Sequence, residues 1–243
     1  MKNTRWTYVF GALGGMLFGY DTGIIAGAIL FIRQDLNLTP LAEGLVVSSL
    51  LLGALAGAAV SGYLSDRLGR RRLLLLAGAV FAVGAVGAAL SPTANVLMAF
   101  RLLLGLAVGV ASVMVPLYLA EMAPTRIRGA LTSLNQLMIA VGIFIAYLTA
   151  FLLSGAGAWR VMLGLAAVPS LLMLAGMWFQ DESPRWLVVH GRDDEARRVL
   201  ARIHTPDAVE REIAEMHRAE QADRMSLGEL LRARWLRRNL VFA

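Results

Sequence analysis

The sequence predicts an all-α, polytopic membrane protein: a six-helix bundle followed by short cytoplasmic helices. Three observations carry that reading. Of the 243 residues 58% are hydrophobic and only 16% charged, far too apolar for an ordinary soluble domain. About six apolar runs reach the roughly 17–20 residues that cross a bilayer as a helix. Arginines gather at the ends of alternate runs, where the positive-inside rule places cytoplasmic loops.

The first span, 6–32, organises the rest. Glycines recur at 11, 15, 19, 23 and 27, close to one per helical turn, and form one stripe. In water each would weaken the helix. In lipid, small residues at this spacing let a second helix approach closely. Asp21 sits within the stripe, and an ionisable residue at membrane depth marks a transport or proton pathway. Met1-Lys2-Asn3-Thr4-Arg5 superficially resembles a signal peptide. The apolar run that follows is longer than the roughly 7–15 residues of a signal core, so it reads as a retained span.

The remaining spans are 44–64, 73–91, 94–119, 130–153 and 159–180. The second carries Gly53, Gly57 and Ser61 at four-residue spacing, another close-packing face. Pro169 interrupts the sixth and should kink it. Lys2 and Arg5 precede span one, Arg67, Arg70, Arg71 and Arg72 follow span two, and Arg126 and Arg128 follow span four. Those segments, and with them both chain ends, are expected to be cytoplasmic. Arg160 is the main exception. Residues 181–238 turn soluble in composition, with helical apolar spacing over 195–203 and at Val209, Ile213 and Met216. Arg232, Arg234, Arg237 and Arg238 form a basic cluster suited to anionic lipid. Residues 239–243 read as the start of a seventh span cut short.

Composition excludes several classes. The absence of cysteine removes disulfides, thiol catalysis and thiolate metal sites. The net charge of +6 lies at span ends, not on a basic face suited to nucleic acid. His190, His204 and His217 lack metal-ligand spacing, and no nucleophile–base constellation appears, so an enzyme is not expected.

Charged motifs each admit two readings. Gly62-Tyr63-Leu64-Ser65-Asp66-Arg67-Leu68-Gly69-Arg70-Arg71 serves topology alone, or forms a latch in which Asp66 pairs with arginines and caps a helix. Arg101, inside span four, snorkels to the surface or pairs with Asp21, which is preferred because lone opposite charges stabilise each other away from water. Glu121 makes a surface ion pair or joins the arginines of the 67–71 turn.

Taken together, these motifs resemble the sugar porter family of the major facilitator superfamily. Gly62 to Arg71 resembles its first signature, and Leu103 to Arg128 its second, with Gly105, Gly109, Tyr118, Glu121 and Arg128 in register. Glu182-Ser183-Pro184-Arg185-Trp186-Leu187 resembles a third, with Asp181 where the family usually has proline. The resemblance covers the first half of the family pattern. It implies a bundle of 3+3 inverted repeats (1–180), a cytoplasmic helical linker (181–238) and an absent second six-helix half, or a second copy in its place. It implies that Asp21 and Arg101 couple a proton, and that Phe18, Gln136, Ile139 and Ile143 line the sugar site. Asp66, Arg67, Arg70, Arg71, Glu121, Arg126, Arg128, Glu182 and Arg185 would form a cytoplasmic gate network. No cofactor beyond the proton is implied.

The function expected is monosaccharide uptake by proton symport through alternating access. A uniporter, an exporter of another small solute, and a non-transporting sugar sensor or assembly partner are the alternatives.

Overall fold

The computed structural model describes residues 4–202 and 205–232, with side chains for 8–124, 126–202 and 205–220. The predicted cluster at 234, 237 and 238, the stub at 239–243 and His204 lie outside the described residues. The described chain is helical without strands, and falls into two compact units, 1–183 and 184–243.

The first unit holds α1 (Thr4–Asp35), α2 (Pro40–Leu68), α3 (Arg70–Ala89), α4 (Ala94–Met122), α5 (Arg128–Ser154), and a sixth span made of α6 (Trp159–Gly164) and α7 (Ala167–Trp178). A short 3-10 turn, Thr125–Ile127, joins α4 to α5. Six spans are long and apolar enough to cross a membrane. α1, α2, α4 and α5 run up to four residues past the predicted spans, whereas α3 and α7 each end two residues before the predicted limit. Thr39 and Thr93 cap α2 and α4 by accepting from Ala42 N and Val96 N.

The sixth span is interrupted, as expected of Pro169. Pro169 has no N–H for Leu165 O, and its ring crowds that carbonyl. Leu165 O accepts instead from Val168 N at 3.0 Å, and the helix breaks between Gly164 and Ala167.

The packing follows the glycine stripes. α1 lies against α5, and a Cβ on Gly19 would run into the Ile139 carbonyl; on Gly23 it would meet Ala146. α2 lies against α4 in the same manner, Gly53 and Gly57 facing the Leu102 and Leu106 carbonyls, Gly105 and Gly109 facing those of Leu50 and Ala54. Backbone approach of this kind replaces the hydrophobic drive that lipid cannot supply. The pairings repeat: α1 meets α5 as α4 meets α2, and α3 meets α4 as the sixth span meets α1. That is the pattern of two three-helix repeats. α1 and α4 are the most buried spans and α5 the least.

The unit extends to Ser183, three residues past the predicted boundary, because Asp181, Glu182 and Ser183 are bonded to α3 and α4. The Tyr118 hydroxyl donates to Asp181 O at 2.8 Å.

The second unit contains α8 (Pro184–Val189), α9 (Asp193–Leu200) and α10 (Pro206–Arg232). The three pack on one another. Trp186, Leu187, Ala196, Val199, Leu200, Val209 and Ile213 are buried. Arg197 bonds Glu210 at 2.9 Å, and His217 Nε2 lies 3.0 Å from Asp193 Oδ2.

Candidate functional site

Asp21 and Arg101 meet inside the first unit. The carboxylate comes from mid-α1, the guanidinium from the second turn of α4, and Arg101 Nη1 lies 4.0 Å from Asp21 Oδ1. The side chains are 1% and 0% exposed, so Arg101 does not snorkel. Its Nε donates to the Val46 carbonyl of α2 at 2.8 Å. The pair therefore ties together α1, α2 and α4. Asp21 Oδ2 and Arg101 Nη1 and Nη2 have no hydrogen-bond partner among the described residues. Two ions in an apolar interior are each costly alone and hold one another there.

The predicted sugar-facing residues lie along the α1–α5 seam. Phe18 is half-buried on α1 next to Gly19. Ile139 and Ile143 flank α1 where Gly15, Gly19 and Gly23 bring the helices together. Gln136 is exposed, and its amide has no protein partner among the described residues. Phe18 thus lies on α1, and Gln136, Ile139 and Ile143 lie on α5.

At the arginine-rich end, a network joins α2, α3, α4 and the chain after α7. Arg70 Nε donates to Glu121 Oε2 at 3.1 Å, and its Nη1 reaches Asp66 Oδ1 and Ser65 O, both at 3.3 Å. The Ser183 hydroxyl donates to the same Glu121 oxygen. Glu182 Oε1 accepts from Arg71 N at 2.9 Å and from Ser183 N at 3.0 Å. The Arg71 guanidinium donates to the carbonyls of Met177 and Trp178, which close α7.

Three expected members of this network, Arg67, Arg126 and Arg128, stand differently. Arg67 lies over the Tyr63 ring, 4.3 Å from its centroid. Arg126 and Arg128 are exposed and make no ion pair with the described residues. Arg185 belongs to the second unit, on α8. Nor does Asp66 cap α3. It lies in the last turn of α2, and α3 receives its carboxylate from Glu182 instead. Gly69 makes this possible: its φ is +94°, and a Cβ there would strike the Glu182 carboxylate.

At the opposite end is a cluster that the sequence reading missed. Asp35 Oδ2 accepts from Trp159 Nε1 at 3.1 Å and from Arg160 Nη1 at 2.5 Å. Arg160 Nη2 also donates to Ser91 O at 3.3 Å, and its guanidinium lies 4.1 Å from the Trp159 ring centroid. The cluster pins the end of α1 and the α3–α4 turn to α6. Arg160 was the arginine that broke the charge rule, and Asp35 follows the predicted first span by three residues; together they were the available signal.

Comparison with known proteins accords with this arrangement. A family model described as "Sugar (and other) transporter" matches residues 7–243. The chain is 51% identical over 242 residues to "Probable metabolite transport protein CsbC" of Bacillus subtilis, covering 99% of this chain and 52% of that protein. It is 46% identical over 242 residues to "Glucose transporter GlcP" of Staphylococcus epidermidis, covering 99% and 54%. The structure of the proton:xylose symporter XylE bound to 6-bromo-6-deoxy-D-glucose superposes with a TM-score of 0.88 at 30% identity, over 94% of this chain and 55% of that one. The chain thus spans about half the length of the curated relatives it matches. With six membrane-length helices, the repeated pairings and these likenesses, this chain belongs to the sugar porter family of the major facilitator superfamily, a family of multi-pass membrane transporters rather than enzymes.

Proposed function

We propose that this chain is the first half of a proton-coupled monosaccharide symporter working by alternating access. The observation that carries the reading is the fully buried Asp21–Arg101 pair, two charges held inside apolar helices where well-packed apolar residues are often as stable. A proton on Asp21 removes the charge that holds Arg101, leaving the guanidinium with the Val46 carbonyl as its described bond. The α1–α2–α4 junction then relaxes, and the inward and outward forms change in population. Phe18, Gln136, Ile139 and Ile143 contribute one wall of the sugar site, and a second six-helix half supplies the other. The Glu121–Arg70 and Glu182–Arg71 bonds close the cytoplasmic end in one form and part in the other. This orientation puts the arginine-rich end and both chain ends inside. The names of XylE, a proton:xylose symporter, and GlcP, a glucose transporter, support the substrate class.

The test is Asp21→Asn in the intact gene product, reconstituted in proteoliposomes with labelled D-glucose and D-xylose. Gradient-driven accumulation is expected to vanish while sugar exchange persists. Undiminished accumulation would show that the carboxylate does not carry the coupling.

A further inference from the structure

The residue before the buried acid makes a bond of its own. Tyr20 is 3% exposed, and its hydroxyl donates to the Met162 carbonyl of α6 at 2.9 Å. A carbonyl inside an unbroken helix is already taken by the N–H four residues on. For Met162 that would be Ala166, but Ala166 N turns to Leu163 O at 3.2 Å. Leu165 N closes on Val161 O at 2.9 Å. The interruption that Pro169 imposes thus leaves Met162 O without its usual partner, and Tyr20 takes it.

Tyr20 and Asp21 are consecutive on α1, so whatever sets the rotation of one sets the other. At the ~5–6 Å outer radius of a helix, about 10° of axial rotation moves a side-chain tip by about 1 Å. The Asp21–Arg101 separation of 4.0 Å is at the limit of an ion pair. A rotation of that size changes that separation by up to about a quarter, enough to bring the two groups to hydrogen-bonding distance or to draw them further apart.

We infer that Tyr20 is a positioning residue: its bond to the Met162 carbonyl transmits movement of the interrupted sixth span to the Asp21–Arg101 pair. When the break straightens, Met162 O returns to Ala166 N, Tyr20 loses its acceptor, and α1 is free to turn. When the break re-forms, the hydroxyl is recaptured and Asp21 is set against Arg101. This rests on the coupling role proposed above for that pair.

The experiment uses Tyr20→Phe, Pro169→Ala and the double variant of the intact gene product in proteoliposomes, with labelled D-glucose and D-xylose. Phenylalanine keeps the ring and removes the donor. Alanine at 169 restores an N–H and lets the helix reclaim its own carbonyls. A net hydrogen bond of about 1 kcal/mol sets the scale at about fivefold. Each single variant is expected to lower gradient-driven accumulation about that much, with the KM for exchange within about twofold of the unaltered protein. The double variant is expected to match the singles, since both break one link. Three outcomes overturn the inference: unchanged accumulation in Tyr20→Phe, a parallel loss of exchange and accumulation, or losses that multiply in the double variant. An unaltered protein that exchanges sugar but never accumulates it overturns the coupling role too, which separates the two failures.

Discussion

Arg71 N donates to Glu182 Oε1 at 2.9 Å, across 111 residues of sequence. The first turn of α3 is thereby capped by a carboxylate from beyond the end of α7, and Gly69 leaves the space it needs. Glu182→Ala is expected to cost about 1 kcal/mol, the usual value of a helix cap. Denaturant unfolding in detergent reads it. Glu182→Gln, which keeps an acceptor, should recover part of the loss. A cost below a few tenths of a kcal/mol would show that water serves this N–H equally well.

The buried pair predicts an asymmetry. Arg101→Met leaves Asp21 ionised and alone, which costs about 3–5 kcal/mol. Adding Asp21→Asn to that variant should return a large part of the stability, because the stranded charge is gone. A double variant no more stable than Arg101→Met would show that packing, not charge, sets the cost.

Two glycines should respond in opposite ways. A Cβ on Gly19 meets the Ile139 backbone, whereas one on Gly62 meets nothing within 4 Å. Gly19→Ala must separate α1 from α5, and a cost of about 1–3 kcal/mol follows, as for overpacked cores. Gly62→Ala should be neutral or stabilising by up to about 1 kcal/mol, from helix propensity alone. Thermal unfolding of the two variants in the same detergent compares them directly.

Gln136 tests the sugar wall. Its amide is exposed and makes no protein bond among the described residues, so Gln136→Ala should leave stability within about 0.5 kcal/mol. The KM for D-glucose or D-xylose exchange should rise about two- to tenfold, the value of one hydrogen bond. An unchanged KM for both sugars would remove Gln136 from the site.

The six spans and the close-packing stripes were legible because they obey local rules. Bilayer thickness sets the length of an apolar run, and a four-residue glycine repeat marks one helix face wherever it packs. Pro169 likewise announced an interruption, since a missing N–H acts within its own turn. Asp21 and Arg101 stood out because lone charges in apolar helices are rare enough to seek each other.

Other features depended on which ends of distant helices meet. Asp66 was expected to pair with arginines and cap a helix; it does bond Arg70, but the carboxylate at the first turn of α3 is that of Glu182, which arrives from beyond α7. Arg126 and Arg128 obey the charge rule without joining the network, since that rule concerns which side of the membrane a loop occupies and not its bonds. Arg160 broke the rule for a reason visible only in three dimensions: Asp35 and the Ser91 carbonyl lie beside it. Local sequence determined the helices and their contact faces, because propensity, length and small-residue spacing act over a few turns. Tertiary structure alone chose the partners of the charged groups, because an ion or an open carbonyl is satisfied by whatever the packing brings within about 3 Å.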